Sequence, residues 1–241
     1  MKKNITKKLV LSTSLLLMGA TATQLTENPL SFSNQAEAYN IGQDVTDVQE
    51  LTKYYTQQPQ TFSNKWLSQL DHGSDKGNIY VDFKYGWSAH IKVWGAESWG
   101  NINKLRNKYV DVFGLQDEAT KQLLWVYEDT YTGGVTPAAS SNDKQYQLNV
   151  KLNDKNGNTI GIYQFYDGKK PVLTLKELDF KVRETLIKHN QLYTNGQSVG
   201  EIKVTSAGKT QVVDLSKRLH SDRANHYVEN PSTAMVEVNL K

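Results

Sequence analysis

The chain has 241 residues, no cysteine and a formal net charge of +3. The absence of cysteine excludes disulfides and any catalysis or metal site that depends on a thiol. Residues 1–38 hold four lysines and two glutamates; removing them from the totals of 28 basic and 25 acidic residues leaves 24 and 23. A net charge of +1 gives no support for nucleic acid or a general anionic surface as partner.

The N-terminus has the order of residues typical of a secretory signal peptide. Four lysines precede an apolar stretch at residues 9–20, which is too short and too rich in Ser and Thr to favour a membrane span. Small residues allow cleavage after Ala22 or Ala38, and we expect cleavage after Ala38. The sequence therefore predicts a signal peptide at residues 1–38 and a secreted protein.

A short helix is predicted at residues 46–55. Thr46 and Gln49 have the spacing of a capping box, and Val48, Leu51 and Tyr55 share one face. We expect this helix to cover the first domain.

Alternating apolar residues predict about five short strands before residue 140. They are Ile79, Val81, Phe83 and Tyr85, then Ala89, Ile91 and Val93, then Val110 and Val112, and finally Leu124 and Val126. That number suits a small barrel of the oligonucleotide- and oligosaccharide-binding (OB) type. Trp87 falls at the turn between the first two strands, which makes it a candidate contact for a protein partner.

Residues 133–143 are small and polar with one proline, so we predict a linker there, with the domain boundary between residues 140 and 141. Beyond it, Asn156-Gly157 is a strong hairpin signal. Alternation predicts further strands through Tyr146, Leu148, Val150 and Leu152, through Ile160 and Ile162, through Ile202 and Val204, at Val212, and through Ala234, Val236, Val238 and Leu240. Strands on both sides of one long helix indicate a sheet wrapped round that helix.

The long helix begins near Thr174, which forms a second capping box with Glu177. Its apolar positions recur every three or four residues and are Leu175, Leu178, Val182 and Leu186. Opposite charges four residues apart are predicted to pair on its exposed side: Glu177 with Lys181, Asp179 with Arg183, and Glu184 with Lys188.

Residues 170–193 resemble the second signature of the staphylococcal and streptococcal toxins. The matching positions are Lys170, Leu173, Leu178, Asp179, Arg183, Leu186, Leu192 and Tyr193. The first signature of that family is approximated, with Thr132 inserted and the asparagine one place late, by Tyr131, Gly133, Gly134, Val135, Thr136 and Asn142. Residues 108–114 also look like a strand of the family's first domain.

The resemblance implies an α+β protein, with an N-terminal OB-fold β-barrel at residues 39–140 followed by a C-terminal β-grasp domain at residues 141–241 packed around the central helix. It fits the staphylococcal superantigen-like branch, whose members bind host immune proteins, leukocyte receptors or sialylated glycoproteins. We therefore expect a non-enzymatic immune-evasion protein without a cofactor, without membrane insertion and without a nucleic-acid partner.

Two other functions are weighed against this one. A true superantigen would crosslink class II histocompatibility molecules to T-cell receptors, but the family's cysteine loop and final-strand His-x-Asp pair are missing here. A nucleic-acid binder built on the small barrel would need a positive charge that the chain lacks.

Two groups of residues are candidate sites. Thr174, Lys176 and Arg183 offer a hydroxyl and two cations for a sialylated glycan, although capping by Thr174 and pairing of Arg183 with Asp179 are the competing structural roles. His220, Asp222 and His226 could supply zinc ligands, but a polar loop without metal is the favoured interpretation.

Overall fold

The structure is a computed structural model that describes residues 46–70, 79–85, 87–94, 104–116, 121–123, 126–140, 143, 145–194 and 198–241. The predicted signal peptide, Leu124 and Asn142 lie outside these residues. Within the described part of the chain, no helix is both long and apolar enough to cross a membrane.

Three α-helices and one short 3-10 helix are described: α1 at Val48–Thr56, α2 at Leu175–Lys188, α3 at Ser221–Ala224 and the 3-10 helix at Pro231–Thr233. The predicted cap of α1 at Thr46 is wrong by one residue. Asp47 Oδ1 accepts the backbone N–H groups of Gln49 and Glu50, both at 2.9 Å. An aspartate at this position satisfies two donors of the first turn at once, so it sets the start of the helix.

The first half of the chain forms a barrel of antiparallel strands closed by one parallel pair. Its strands are β1 at Gln60–Leu70, β2 at Ile79–Tyr85, β3 at Trp87–Trp94, β4 at Tyr109–Gln116, β5 at Lys121–Leu123 and β6 at Val126–Pro137. The order is β3-β2-β1-β4-β6-β5, and a parallel pairing of β3 with β6 closes the sheet. Strand β1 was not predicted, because polar residues interrupt the alternation along its length.

The linker predicted at residues 133–143 is wrong at its N-terminal end, because residues 133–137 complete strand β6. A Cβ on Gly133 would lie 2.2 Å from the carbonyl oxygen of Phe113 in β4. The glycine therefore allows two strands to approach closely, and a glycine with this role looks the same in the sequence as a glycine in a loop.

The second half forms a five-stranded sheet of order β11-β10-β13-β7-β8. Its strands are β7 at Gln145–Asn153, β8 at Thr159–Lys169, β10 at Gly200–Ser206, β11 at Lys209–Asp214 and β13 at Met235–Leu240. Strands β13 and β7 are parallel, whereas the other neighbours are antiparallel. Gly157, with φ of 82°, forms the predicted hairpin turn between β7 and β8. A separate short pair joins β9, Val172–Thr174, to β12, Tyr227–Glu229.

Helix α1 was expected to cover the first domain. In the structure it packs against α2 of the C-terminal domain. Leu51 and Tyr55 are fully buried in the core that surrounds α2, and the ring of Tyr55 lies 6.4 Å from that of Phe180. Helix α1 therefore joins the N-terminal part of the chain to the C-terminal domain. The apolar face of α1 was predicted correctly, but its spacing could not show which surface it meets.

Candidate functional site

The start of α2 is fixed by contacts from several parts of the chain. Thr174 Oγ1 accepts the backbone N–H of Glu177 at 3.2 Å, and the N–H of Leu175 donates to the carbonyl of His226 at 2.7 Å. The Glu177 carboxylate binds lysines instead of completing the predicted capping box. It accepts bonds from Lys170 at 2.8 and 3.0 Å and from Lys181 at 2.8 Å.

Arg183 lies at the centre of a buried polar network. Its Nε donates to Asp179 Oδ1 at 2.6 Å, its Nη1 donates to the carbonyl of Leu215 at 2.9 Å, and its Nη2 donates to the carbonyl of Asp214 at 2.9 Å. Nη1 also donates to the hydroxyl of Tyr193. The guanidinium is thus held by the protein on all sides, and its side chain is 0% exposed.

Lys176 is also fully buried. Its Nζ donates to the hydroxyl of Tyr54 at 2.6 Å and lies 4.5 Å from the centre of the same ring. The contact adds a cation–π interaction to the hydrogen bond, and it ties α2 to α1 a second time.

The predicted glycan site is therefore corrected. Thr174, Lys176 and Arg183 are 1%, 0% and 0% exposed, so no glycan can reach them at the surface. The sequence shows three polar residues near one end of a helix, and polar residues usually face water. Strand β6 lies against Thr174, and α1 covers Lys176 and part of Arg183; the sequence does not reveal either packing.

The signature residues of the helix region are mostly part of the scaffold. Leu173, Leu178, Leu186 and Leu192 are at most 1% exposed, and Tyr193 is 8% exposed. Of the three predicted charge pairs, only Lys188 with Glu184 lies at the surface, at 2.6 Å. The Arg183–Asp179 pair forms as predicted but is fully buried, and the Lys181–Glu177 pair forms with a partly exposed lysine at the wall of a cleft.

The candidate zinc residues lie around α3. His220 precedes this helix, Asp222 lies within it and His226 follows it. Among the residues that the structure describes, no three His, Asp or Glu side chains are close enough together to hold a metal ion. The side chain of Asp222 is not among the described parts of the structure. His226 has a different role, because its backbone carbonyl accepts the N–H of Leu175 at the start of α2.

Trp87 is the first residue of β3 and pairs with Tyr85 of β2. It is thus a strand residue beside the turn, and its side chain lies outside the described part of the structure. Its role in binding a partner stays a prediction.

A cleft of about 460 Å³ separates β1 and β4 of the barrel from α2 and the end of β8. Its charged lining residues are Asp111, Lys169, Lys170, Glu177, Lys181 and Glu184. No sequence pattern pointed to this cleft, because its walls come from both halves of the chain. The only local signal was Lys169-Lys170 before the long helix.

Each carboxylate in the cleft is engaged by donors of the protein itself. Asp111 accepts the backbone N–H groups of Asn64 at 2.8 Å and Ala139 at 3.1 Å, and Glu184 binds Lys188. Glu177 serves two lysines at once, and Glu184 also acts on Lys181 by favouring its charged form.

Burial changes the protonation of this group. It raises the pKa of Glu177, an effect that the neighbouring Lys170 opposes, and it lowers the pKa of Lys181 to about 8. At neutral pH the lysine is still mostly protonated. The ammonium groups of Lys170 and Lys181 are cationic donors of the kind that bind anionic groups of ligands.

Three comparisons place the chain among known proteins. A family model, the staphylococcal/streptococcal toxin beta-grasp domain, matches residues 145–240. Superantigen-like protein 13 of Staphylococcus aureus strain Newman is 51% identical over 241 residues, which cover 100% of this chain and 99% of the relative.

Solved structures share the fold. The crystal structure of exotoxin 6 from Staphylococcus aureus aligns with a TM-score of 0.62 at 24% identity, over 81% of this chain and 99% of that one. A superantigen-like protein from Staphylococcus aureus in complex with sialyl-Lewis X aligns with a TM-score of 0.63 at 21% identity, over 81% and 99%. Together with the identity over the whole chain, this likeness shows that the chain belongs to the staphylococcal superantigen-like protein family.

Proposed function

We propose that the protein is secreted and acts without catalysis, by binding a component of the host immune system. The observation that carries this proposal is the 51% identity to superantigen-like protein 13 along the entire chain. The sequence contains no P-loop or HExxH motif, and the G-x-S-x-G pattern at residues 196–200 leads into strand β10 and not into the helix that a nucleophile elbow requires. The carboxylates of the cleft are already engaged by protein donors, which supports binding over acid–base chemistry.

The experiment is a pull-down from human serum and from neutrophil membranes with residues 39–241 as bait. We expect one host protein to be retained reproducibly and to bind in a purified two-component measurement. An unrelated secreted protein of similar size is the control for adhesion. If nothing from serum or membranes binds above this control, the proposed function is wrong.

As the ligand class we propose a sialylated glycan, bound at the cleft. A protein of the same fold is in complex with sialyl-Lewis X, whose sialic acid carries a carboxylate. In the present chain Lys169, Lys170 and Lys181 line the cleft, and Lys169 is exposed at its rim. Cationic donors beside a carboxylated sugar give charge-assisted hydrogen bonds.

A sialylated glycan array and binding to sialidase-treated leukocytes test this ligand class. We expect Lys169→Gln to weaken glycan binding several-fold. The matched control is Lys203→Gln, which removes the same charge from an exposed position on β10, away from the cleft. Equal loss of binding in both variants would show that the effect comes from the net charge of the protein and not from the cleft. The absence of any signal on the array would exclude glycans as ligands, and the pull-down would then still test for a protein ligand.

A further inference from the structure

The amine of Lys181 lies at the wall of the cleft between the barrel and α2. The Lys181 side chain is 20% exposed, and its Nζ donates to Glu177 Oε1 at 2.8 Å and to the hydroxyl of Tyr146 at 3.3 Å. The amine therefore combines access from a cavity of about 460 Å³ with a carboxylate that can accept its proton. A lysine that is largely withdrawn from water beside a proton acceptor is a candidate nucleophile.

Glu177 does not need Lys181 as its counterion. Lys170 binds both oxygens of the same carboxylate, at 2.8 and 3.0 Å. When Lys181 loses its proton, the buried carboxylate keeps one cation and is not left unpaired, which would be the unfavourable outcome. Of the two lysines, Lys181 is therefore the one that can become a neutral amine.

The groups around Lys181 act in both directions on its charge. Burial lowers the pKa of Lys181 to about 8, whereas Glu184 favours the ammonium form. Burial also raises the pKa of Tyr146, so the phenol stays neutral and offers the ammonium no negative charge. The other charged residues that line the cleft are Asp111 of β4, Lys169 at the end of β8 and Lys170 directly after it.

The balance of these effects leaves much of Lys181 reactive near neutral pH. At pH 7.5 about a quarter of a lysine with a pKa of about 8 is neutral, against about one part in a thousand for a lysine in water. The neutral amine is the form that attacks a carbonyl carbon.

We propose that Lys181 is a covalent modification site, whose amine forms an imine with an aldehyde or ketone that carries an acidic group. The cleft selects such compounds, because Lys169 is exposed at the rim and offers a cation to the acidic group. A lysine on the open surface has no such cavity to hold the carbonyl compound.

The reaction is a condensation and needs no oxidant or reductant. Nζ of the neutral amine bonds to the carbonyl carbon as the C=O π bond breaks, and the C–O bond then breaks as C=N forms. Both hydrogens of the amine leave with the carbonyl oxygen as water. Glu177 Oε1, 2.8 Å from Nζ, accepts each proton from nitrogen and returns it to oxygen.

The first test labels residues 39–241 with pyridoxal 5′-phosphate, an aldehyde with an anionic group. Borohydride traps the imine, and mass spectrometry of the peptides locates it. At pH 7.5 we expect Lys181 to be labelled at least about tenfold faster than Lys188. Lys188 is the internal comparison, because it lies on the same helix and its side chain is 65% exposed. The N-terminal amine, which titrates near pH 8, is mapped on its own peptide.

Two variants separate reactivity from folding. Lys181→Arg keeps a cation beside Glu177 but has no amine to form an imine, so it should fold normally and lose the fast label. Lys203→Arg makes the same change at an exposed position on β10 and should keep the fast label. The labelling rate at Lys181 should also level off above about pH 8, near its pKa.

A second aldehyde tests the acidic group. 5′-Deoxypyridoxal lacks the phosphate, and we expect it to label Lys181 several-fold more slowly than pyridoxal 5′-phosphate. Lys169→Gln should remove most of the difference between the two aldehydes.

Equal labelling rates at Lys181 and Lys188 would overturn the proposal, as would a fast label of the same extent in the Lys181→Arg variant. Equal rates with the two aldehydes would overturn the selection for an acidic group. No host component enters these measurements, so their outcome is independent of the pull-down and of the glycan array.

Discussion

The hydroxyl of Tyr55 donates a 2.7 Å hydrogen bond to Oδ2 of Asp179, although the two residues are 124 positions apart. Burial raises the pKa of Tyr55, so the hydroxyl stays protonated and remains a donor. The other carboxylate oxygen of Asp179 accepts from Arg183. One signature aspartate therefore connects α1, α2 and, through Arg183, the C-terminal end of β11.

The Tyr55 hydroxyl also accepts the backbone N–H of Leu219 at 3.2 Å. Replacement of Tyr55 by Phe removes both bonds and should lower the free energy of unfolding by at least about 1.5–3 kcal/mol, the usual contribution of a hydrogen bond to a charged group. The ring packing is retained, so the loss measures the hydroxyl alone. Tyr166→Phe is the control, because its hydroxyl bonds to Gln164 on the exposed face of β8. Chemical denaturation of both variants checks the difference, and equal stabilities would show that the Tyr55–Asp179 bond is dispensable.

Arg183→Met should be far more damaging. It leaves Asp179 buried without its cation, and breaking a buried pair by removing one partner costs about 3–5 kcal/mol. Lys188→Met removes the cation of an exposed pair on the same helix and should cost about 0–1 kcal/mol. Thermal unfolding compares the two variants. Normal stability of Arg183→Met would contradict the scaffold role of Arg183 and reopen a role in ligand binding.

Gly134 explains part of the first signature. A Cβ at this position would lie 2.4–2.7 Å from three atoms of the Thr174 side chain. Strand β6 thus meets the residue that caps α2, and Gly134→Ala should cost about 1–3 kcal/mol through overpacking. Gly168→Ala, where a Cβ meets nothing within 4 Å, is the control. If both variants unfold at the same denaturant concentration, the contact is not tight.

The sequence predicted correctly the features that depend on the periodic spacing of neighbouring residues. The apolar stripe of α2, the hairpin at Gly157 and the alternation along β7 depend on neighbouring residues, and each is present in the structure. The burial of Lys176 and Asp179 could not be predicted, because their partners Tyr54 and Tyr55 lie far away in the chain.

The cleft escaped prediction for the same reason. Asp111 and Lys181 line one cavity but come from strand β4 and helix α2, and no spacing in the sequence relates them. Strand β1 was missed because its pairing with β2 and β4 comes from backbone groups, which any residue other than proline can supply. Sequence patterns therefore located the scaffold better than the surfaces between its parts.

The stability of the protein should rise with pH between about 8 and 10 through Lys181. Burial lowers the pKa of Lys181 to about 8 in the folded protein, whereas an unfolded lysine titrates near 10.4. In that interval the unfolded chain holds a proton that the folded protein has lost, so rising pH favours the folded state. Lys181→Met removes this contribution, and its stability should depend less on pH from 8 to 9.5.

The same titration gives a distinct expectation for binding. Loss of the Lys181 proton removes one positive charge from the cleft, so the affinity for a sialylated ligand should fall above pH 8. Titration calorimetry at pH 7 and pH 9 measures the change, and the Lys181→Met variant should bind weakly at both values. If the stability rises with pH but the affinity does not change, the lowered pKa of Lys181 is confirmed and the ligand binds outside the cleft.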